Sequence, residues 1–96
     1  MISNGVHIKR IREECYKLGL SDKCMDKVRE IRDKFLKKRL LSQSQMVPKT
    51  FIAGAIYVAS VLKKETRSQS TISASTGVCK ASIRKAYKII TEELDL

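Results

Sequence analysis

Arg84, Lys85 and Lys88 follow Gly77 in the stretch "TGVCKASIRKAYKII". An arginine presents a planar fork of N–H donors that can hold a guanine edge or a phosphate at two points. A lysine is a mobile point charge better suited to phosphate. In a helix turning about 100° per residue, Ala81, Arg84, Lys85 and Lys88 lie roughly 100–200° away from Ile83. Ala86, Tyr87 and Ile90 lie within roughly 60° of Ile83. One side of the helix is therefore apolar, and the other carries three cations and one small residue. A helix of this width fits the major groove of DNA. Arg84 is the candidate for bidentate base reading, and Ala81 is short enough to meet a thymine methyl. Lys80, Ser82, Lys85, Lys88 and Gln69 suit phosphates, and Lys63, Lys64 and Arg67 would follow the backbone beside the groove. A charged helix face is most often only solvated. Here no acid stands between Glu65 and Glu92, which favours a polyanion over water alone.

Such a helix must be held at a fixed angle. Gly77 can take the positive φ that a helix-turn-helix needs in its turn. Ile72, Val78 and Ile83 fall at −5, +1 and +6 from it, where apolar side chains would lock the two helices. Ser73 and Thr76 depart from the pattern, which prefers Ala and an apolar residue there. Ser68 can cap the first, short helix, with Ile72 and Ala74 turned inward. The second helix runs from about Cys79 to Leu94, so the motif covers about 68–94.

The elements before it read as helices too. Ile8, Ile11, Cys15 and Leu18 share one face, and Gly19 is placed to end that helix in a left-handed cap. Ser21 or Asp22 can cap the next. Its inner stripe is Met25, Val28, Ile31 and Phe35, with Glu30–Lys34 and Asp33–Lys37 as outward pairs. Its basic tail "KKRLL" suits a helix end, and "SQSQMV" is a polar connection. Pro48 is suited to open a third helix. "TFIAGAIYVASVL" is apolar on nearly all sides, so this helix must be surrounded, with Gly54 allowing another helix to come close. Tyr57 is expected in the core. The prediction is five helices, the last two short and joined by a tight turn.

Composition agrees. A chain of 96 residues with 43% hydrophobic content supports one small packed domain. One proline and four glycines argue against a β-rich fold. Lys49 and Lys63 bracket the apolar run too closely for a membrane span, and the N-terminus lacks a signal-peptide core. Net charge is +10. Twelve Lys and Arg lie from Lys34 to Lys88, against Glu65 alone, while the acids gather before Lys34 and after Lys88. Cys15, Cys24 and Cys79 form no CxxC pair, which predicts reduced thiols in a reducing compartment, each a small core residue. His7, Cys15 and Cys24 match no zinc spacing. With one histidine, no carboxylate pair and no phosphate-cradling glycine loop, an enzyme is not expected.

Three segments resemble the cyclin-like repeat of archaeal transcription factor B and its eukaryotic counterpart, transcription factor IIB. "KLGLSDK" resembles the junction of the family's first two helices. "VPKTFIAGAIYVAS" is similar to its central helix. "SQSTISASTGVCKASIRKAYKII" is similar to the helix-turn-helix of its C-terminal repeat. The likeness covers about residues 6–94. It implies an all-α, five-helix cyclin box over residues 1–96, a single repeat either excised from a longer factor or divergent. It implies a repeat that grips promoter DNA upstream of the TATA box, with TATA-binding protein on the TATA sequence and RNA polymerase reached through the parent factor. The family's base-reading positions fall on Ala81, where Val is frequent, and on Arg84. Lys and Glu are frequent where Ser70 and Thr71 stand. The family's zinc ribbon has no counterpart here, so no cofactor is expected. The resemblance further implies a monomer in the archaeal cytoplasm at the nucleoid, or in a nucleus if eukaryotic. Two alternatives stay open: a stand-alone helix-turn-helix regulator that dimerises on a palindrome, and a cyclin-like module that binds an acidic protein.

Overall fold

A helix with no polar side can exist in water only if other helices cover it. The computed structural model, which describes residues 4–37 and 48–94, is arranged round such a helix. Five helices follow one another among the described residues: α1 (Asn4–Lys17), α2 (Asp22–Lys37), α3 (Pro48–Leu62), α4 (Gln69–Thr76) and α5 (Lys80–Glu93). No strand occurs among them. Pro48 opens α3, as its lack of an N–H allows. Phe51, Ile52, Ala53, Ala55, Ile56, Val58 and Ala59 are all buried, and α3 packs against each of the other four helices. The predicted all-α, five-helix order is what forms. The "SQSQMV" connection and most of the basic tail before it lie outside the described residues.

The stripes read from spacing on α1 and α2 are in the core wherever they are described, the side chain of Ile8 lying outside the described residues. Ile11, Cys15 and Leu18 of α1 and Met25, Val28, Ile31 and Phe35 of α2 are buried. Phe35 meets Phe51 at a centroid distance of 4.9 Å, which ties α2 to α3. Burial pushes the Cys15 thiol up to about 12 and the Cys24 thiol up to about 11. Both therefore behave as apolar groups. On the outer side of α2, Glu30 lies 2.5 Å from Lys27 and 3.9 Å from Lys34. The expected Asp33–Lys37 pair is replaced by Asp33 with Arg32, at 2.5 Å. The adjacent Arg32 is itself largely buried, and its guanidinium takes the exposed Asp33 carboxylate as a partner.

The turn between α1 and α2 is laced to the connection between α3 and α4. Gly19 has φ +68°, with Leu20 N–H on Cys15 C=O at 3.0 Å and Gly19 N–H on Tyr16 C=O at 3.1 Å. This bond pair is the Schellman ending. Ser21 caps α2, its Oγ accepting from Cys24 N–H at 3.3 Å. Glu65 then accepts from Ser21 N–H at 2.9 Å and from the Ser21 hydroxyl. The isolated acid of the basic stretch is thus occupied by a helix N-terminus. Arg67 donates to Leu18 C=O at 2.9 Å, Gly19 C=O at 3.2 Å and Glu65 C=O at 2.8 Å.

The predicted close approach at Gly54 is made by α5. A Cβ at position 54 would stand 2.5 Å from Ala86 Cβ and 3.2 Å from the Ala86 carbonyl carbon. Tyr57 and Tyr87 flank this contact edge to face, with centroids 5.1 Å apart.

Helix propensity alone would make Gly54→Ala stabilising by about 1 kcal/mol. Backbone overlap with α5 reverses the sign, and a net loss of about 1–3 kcal/mol is expected in denaturant unfolding. The hydrogen bonds from Ser21 hold the Glu65 carboxyl below the usual carboxylate range. A depressed folded pKa gives stability that is present above the unfolded value and lost as pH falls through the folded one. Glu65→Gln should therefore flatten the acid limb of a Tm-versus-pH curve.

Candidate nucleic-acid interface

The short helix α4 starts at Ser68, whose Oγ accepts from Thr71 N–H at 3.1 Å. It ends at Gly77, with φ +78° and its N–H on Ser73 C=O at 2.8 Å. That left-handed residue turns the chain, and Cys79 then leads into α5. Ile72, Val78 and Ile83 are buried together, so the predicted lock between α4 and α5 is in place. Thr76 occupies an apolar position of the motif yet is buried without an orphaned hydroxyl. Its Oγ1 donates to Ile72 C=O at 2.8 Å and accepts from Val78 N–H at 3.2 Å. A hydroxyl bonded on both sides can sit where a methyl group is usual.

The rotation of α5 follows from its buried side. Ile83, Ala86 and Ile90 are buried and Tyr87 is half-buried. Ala81, Arg84, Lys85 and Lys88 are exposed, as is Lys80 at the start of the helix. Ser82 and Gln69 are half-exposed, and Lys63 and Lys64 are exposed where α3 ends. The charges on this side differ from those on α1 and α2. There, Glu14 pairs with Lys17 and Glu30 with Lys27 and Lys34. Among the described residues Lys63, Lys64, Lys80, Arg84, Lys85 and Lys88 are in no ion pair. The cations of α5 thus have no neutralising partner, which leaves a positive field along that face of the helix.

Three residues differ from expectation. Ala74 is exposed rather than inward, because an eight-residue helix buries one narrow stripe and Ile72 with Thr76 already fill it. Cys79 is exposed rather than a core residue. It sits at the cap position of α5, outside the apolar stripe, and the Ser82 hydroxyl 3.1 Å away holds its thiol below the ordinary value. Arg67 stands among the basic residues in sequence, but its guanidinium is engaged by carbonyls of the protein. Sequence spacing gave no sign of this, since two of those carbonyls lie 49 and 48 residues away.

The same folding signal appears twice with different residues. At the end of α3, Glu65 N–H meets Ser60 C=O at 2.8 Å and Lys64 N–H meets Val61 C=O at 3.2 Å. This repeats the ending of α1, but Lys64, at φ +59°, takes the place that Gly19 has there.

Among the described residues no three His, Cys, Asp or Glu side chains gather as a metal site, and no helix is long and apolar enough to cross a membrane. What remains is a five-helix domain whose distinctive surface is a helix-turn-helix with an unneutralised cationic face. The Transcription factor TFIIB repeat family matches residues 5–93, and the chain belongs to that family, with its all-α cyclin-like fold. It is 34% identical over 79 residues to transcription initiation factor IIB of Pyrococcus furiosus, covering 82% of this chain and 26% of that protein. The factor of the same name from Saccharolobus shibatae is 38% identical over 79 residues, covering 82% and 25%. That of Archaeoglobus fulgidus is 37% identical over 82 residues, covering 85% and 24%. The chain spans about a quarter of the length of these relatives.

A left-handed backbone strains any residue with a Cβ by about 1–2 kcal/mol. Lys64→Gly should therefore raise stability by about 1 kcal/mol, read as a higher denaturation midpoint at unchanged m-value.

Proposed function

We propose that this repeat binds promoter DNA within a transcription initiation complex, with α5 in the major groove upstream of a TATA box held by TATA-binding protein. The observation that carries the reading is the pairing of faces on α5. Ile83, Ala86 and Ile90 are buried while Ala81, Arg84, Lys85 and Lys88 are exposed. Membership of the family and the names of the relatives support it. Arg84 supplies a two-point contact to a guanine edge. Ala81 lets the helix approach closely and offers a methyl to a thymine. Lys80, Ser82, Lys85 and Lys88 hold phosphates beside α5, and Gln69, Lys63 and Lys64 hold them beside α4. Arg67 is left out of this set because it serves the fold. Lys64 earns its left-handed position in this reading: a glycine there would suit the backbone and lose the charge.

The repeat acts as a monomer. Neither base reading nor phosphate contact calls for a metal, so no zinc is assigned to it and no catalytic step is required of it. RNA polymerase is reached through the rest of the parent factor, and the work is done at the chromosome.

Footprinting on a TATA-containing promoter, with and without TATA-binding protein, tests this. Wild-type chain should protect the segment upstream of TATA when TATA-binding protein is present. Arg84→Ala should weaken binding by about 1–3 kcal/mol and relax the preference at one base position. Lys88→Ala should weaken binding equally on all sequences and lower the salt slope by about 0.9. No wild-type protection with TATA-binding protein would sink the reading. Unaided protection of a palindrome would point instead to a stand-alone regulator.

A further inference from the structure

We infer that Lys49, from the first turn of α3, is a phosphate-binding residue of the same DNA interface, reaching it at the turn between α4 and α5. The inference rests on the promoter-binding reading above and extends it to a third helix. Lys49 is exposed. Its Nζ lies 3.1 Å, and its Cε 3.6 Å, from where a Cβ on Gly77 would stand. The ammonium is therefore laid against the turn, in space left open because residue 77 has no side chain. Twenty-eight positions separate the two residues in sequence, so only the packing of α3 beneath α4 and α5 brings them together. Lys80 follows three residues after Gly77, at the start of α5, which makes this a second cation on that side of the turn.

Its own helix gains nothing from a cation at this place, whereas the C-terminal end of α4 at Gly77 carries a partial negative charge that suits one. The N-terminal turn of a helix carries a partial positive charge and favours acids. The first turn of α3 contains no acid, and Lys49 is in no ion pair among the described residues. An explanation within α3 therefore has the wrong sign, and the end of α4 offers only a fraction of a charge to a full ammonium. An anion arriving from outside has the right one, and on this surface that anion is a DNA phosphate, as it is for Lys80 and Lys88.

Lys49→Ala and Lys49→Arg chains, with wild type beside them, should be titrated onto a TATA duplex already carrying TATA-binding protein, across about 50–200 mM salt. Their Tm values should be measured in parallel. Lys49→Ala is expected to lower the slope of log K against log salt by about 0.9, and to bind about fivefold to tenfold more weakly near 0.1 M salt. Its base preference should not change, any fall in Tm should be too small to account for the weaker binding, and Lys49→Arg should keep the wild-type slope. Wild-type binding with an unaltered slope for Lys49→Ala would overturn the assignment of Lys49 alone. So would a fall in Tm that accounts for the weaker binding, since Lys49 would then serve the fold. Absence of wild-type binding would overturn the promoter reading and this inference with it.

Discussion

The approach of α5 to α3 at Gly54 constrains everything on the far side of the molecule. With backbone atoms of Ala86 and Tyr87 at 3.2 and 3.3 Å from a would-be Cβ, α5 lies closer to α3 than any side chain at position 54 would allow. Close packing of this kind converts a small local misfit into a displacement of the whole helix. Fixing the inner side of α5 fixes its outer side. Arg84, Lys85 and Lys88 face water because Ile83, Ala86 and Ile90 are pinned against the core. The edge-to-face contact of Tyr57 with Tyr87 adds a second point of registration.

Orientation alone would not make a binding surface if acids stood beside the cations. Pairing is concentrated on α1 and α2, where Glu14, Glu30 and Asp33 each have a basic partner. Glu65, the one acid within the basic stretch, is turned away to hold Ser21 at the start of α2. The cations on the outer face of α5 are thus left without ion-pair partners among the described residues. Exposed pairs of this sort add little to stability. Their effect here is to decide where the uncompensated charge remains.

Lysine and arginine divide the labour near that surface according to geometry. Arg67 has a planar fork, and three carbonyls from two connections converge on it. A lysine, with its single nitrogen, lacks the planar fork that spans them. Lys64 and Lys49 sit at places where their own helices would favour other residues, one at positive φ and one in a first turn. Local conflict of that kind is expected at sites kept for function rather than for the fold.

The sequence by itself determined the helices, their order and the two faces of α5, because all of these follow from apolar spacing and from caps at Gly19, Ser21, Ser68 and Gly77. It also marked Gly54 as a point of close approach, since a glycine among alanines in a buried helix has few other uses. It misjudged Ala74, whose burial turns on how wide a stripe a short helix can cover, and Cys79, which falls at the cap of α5 outside its apolar stripe. It could not show that Arg67 belongs to the fold, that Thr76 satisfies both its bonds, or that Lys49 lies against Gly77. Those depend on groups far apart in the chain, and tertiary packing alone sets the distances between them.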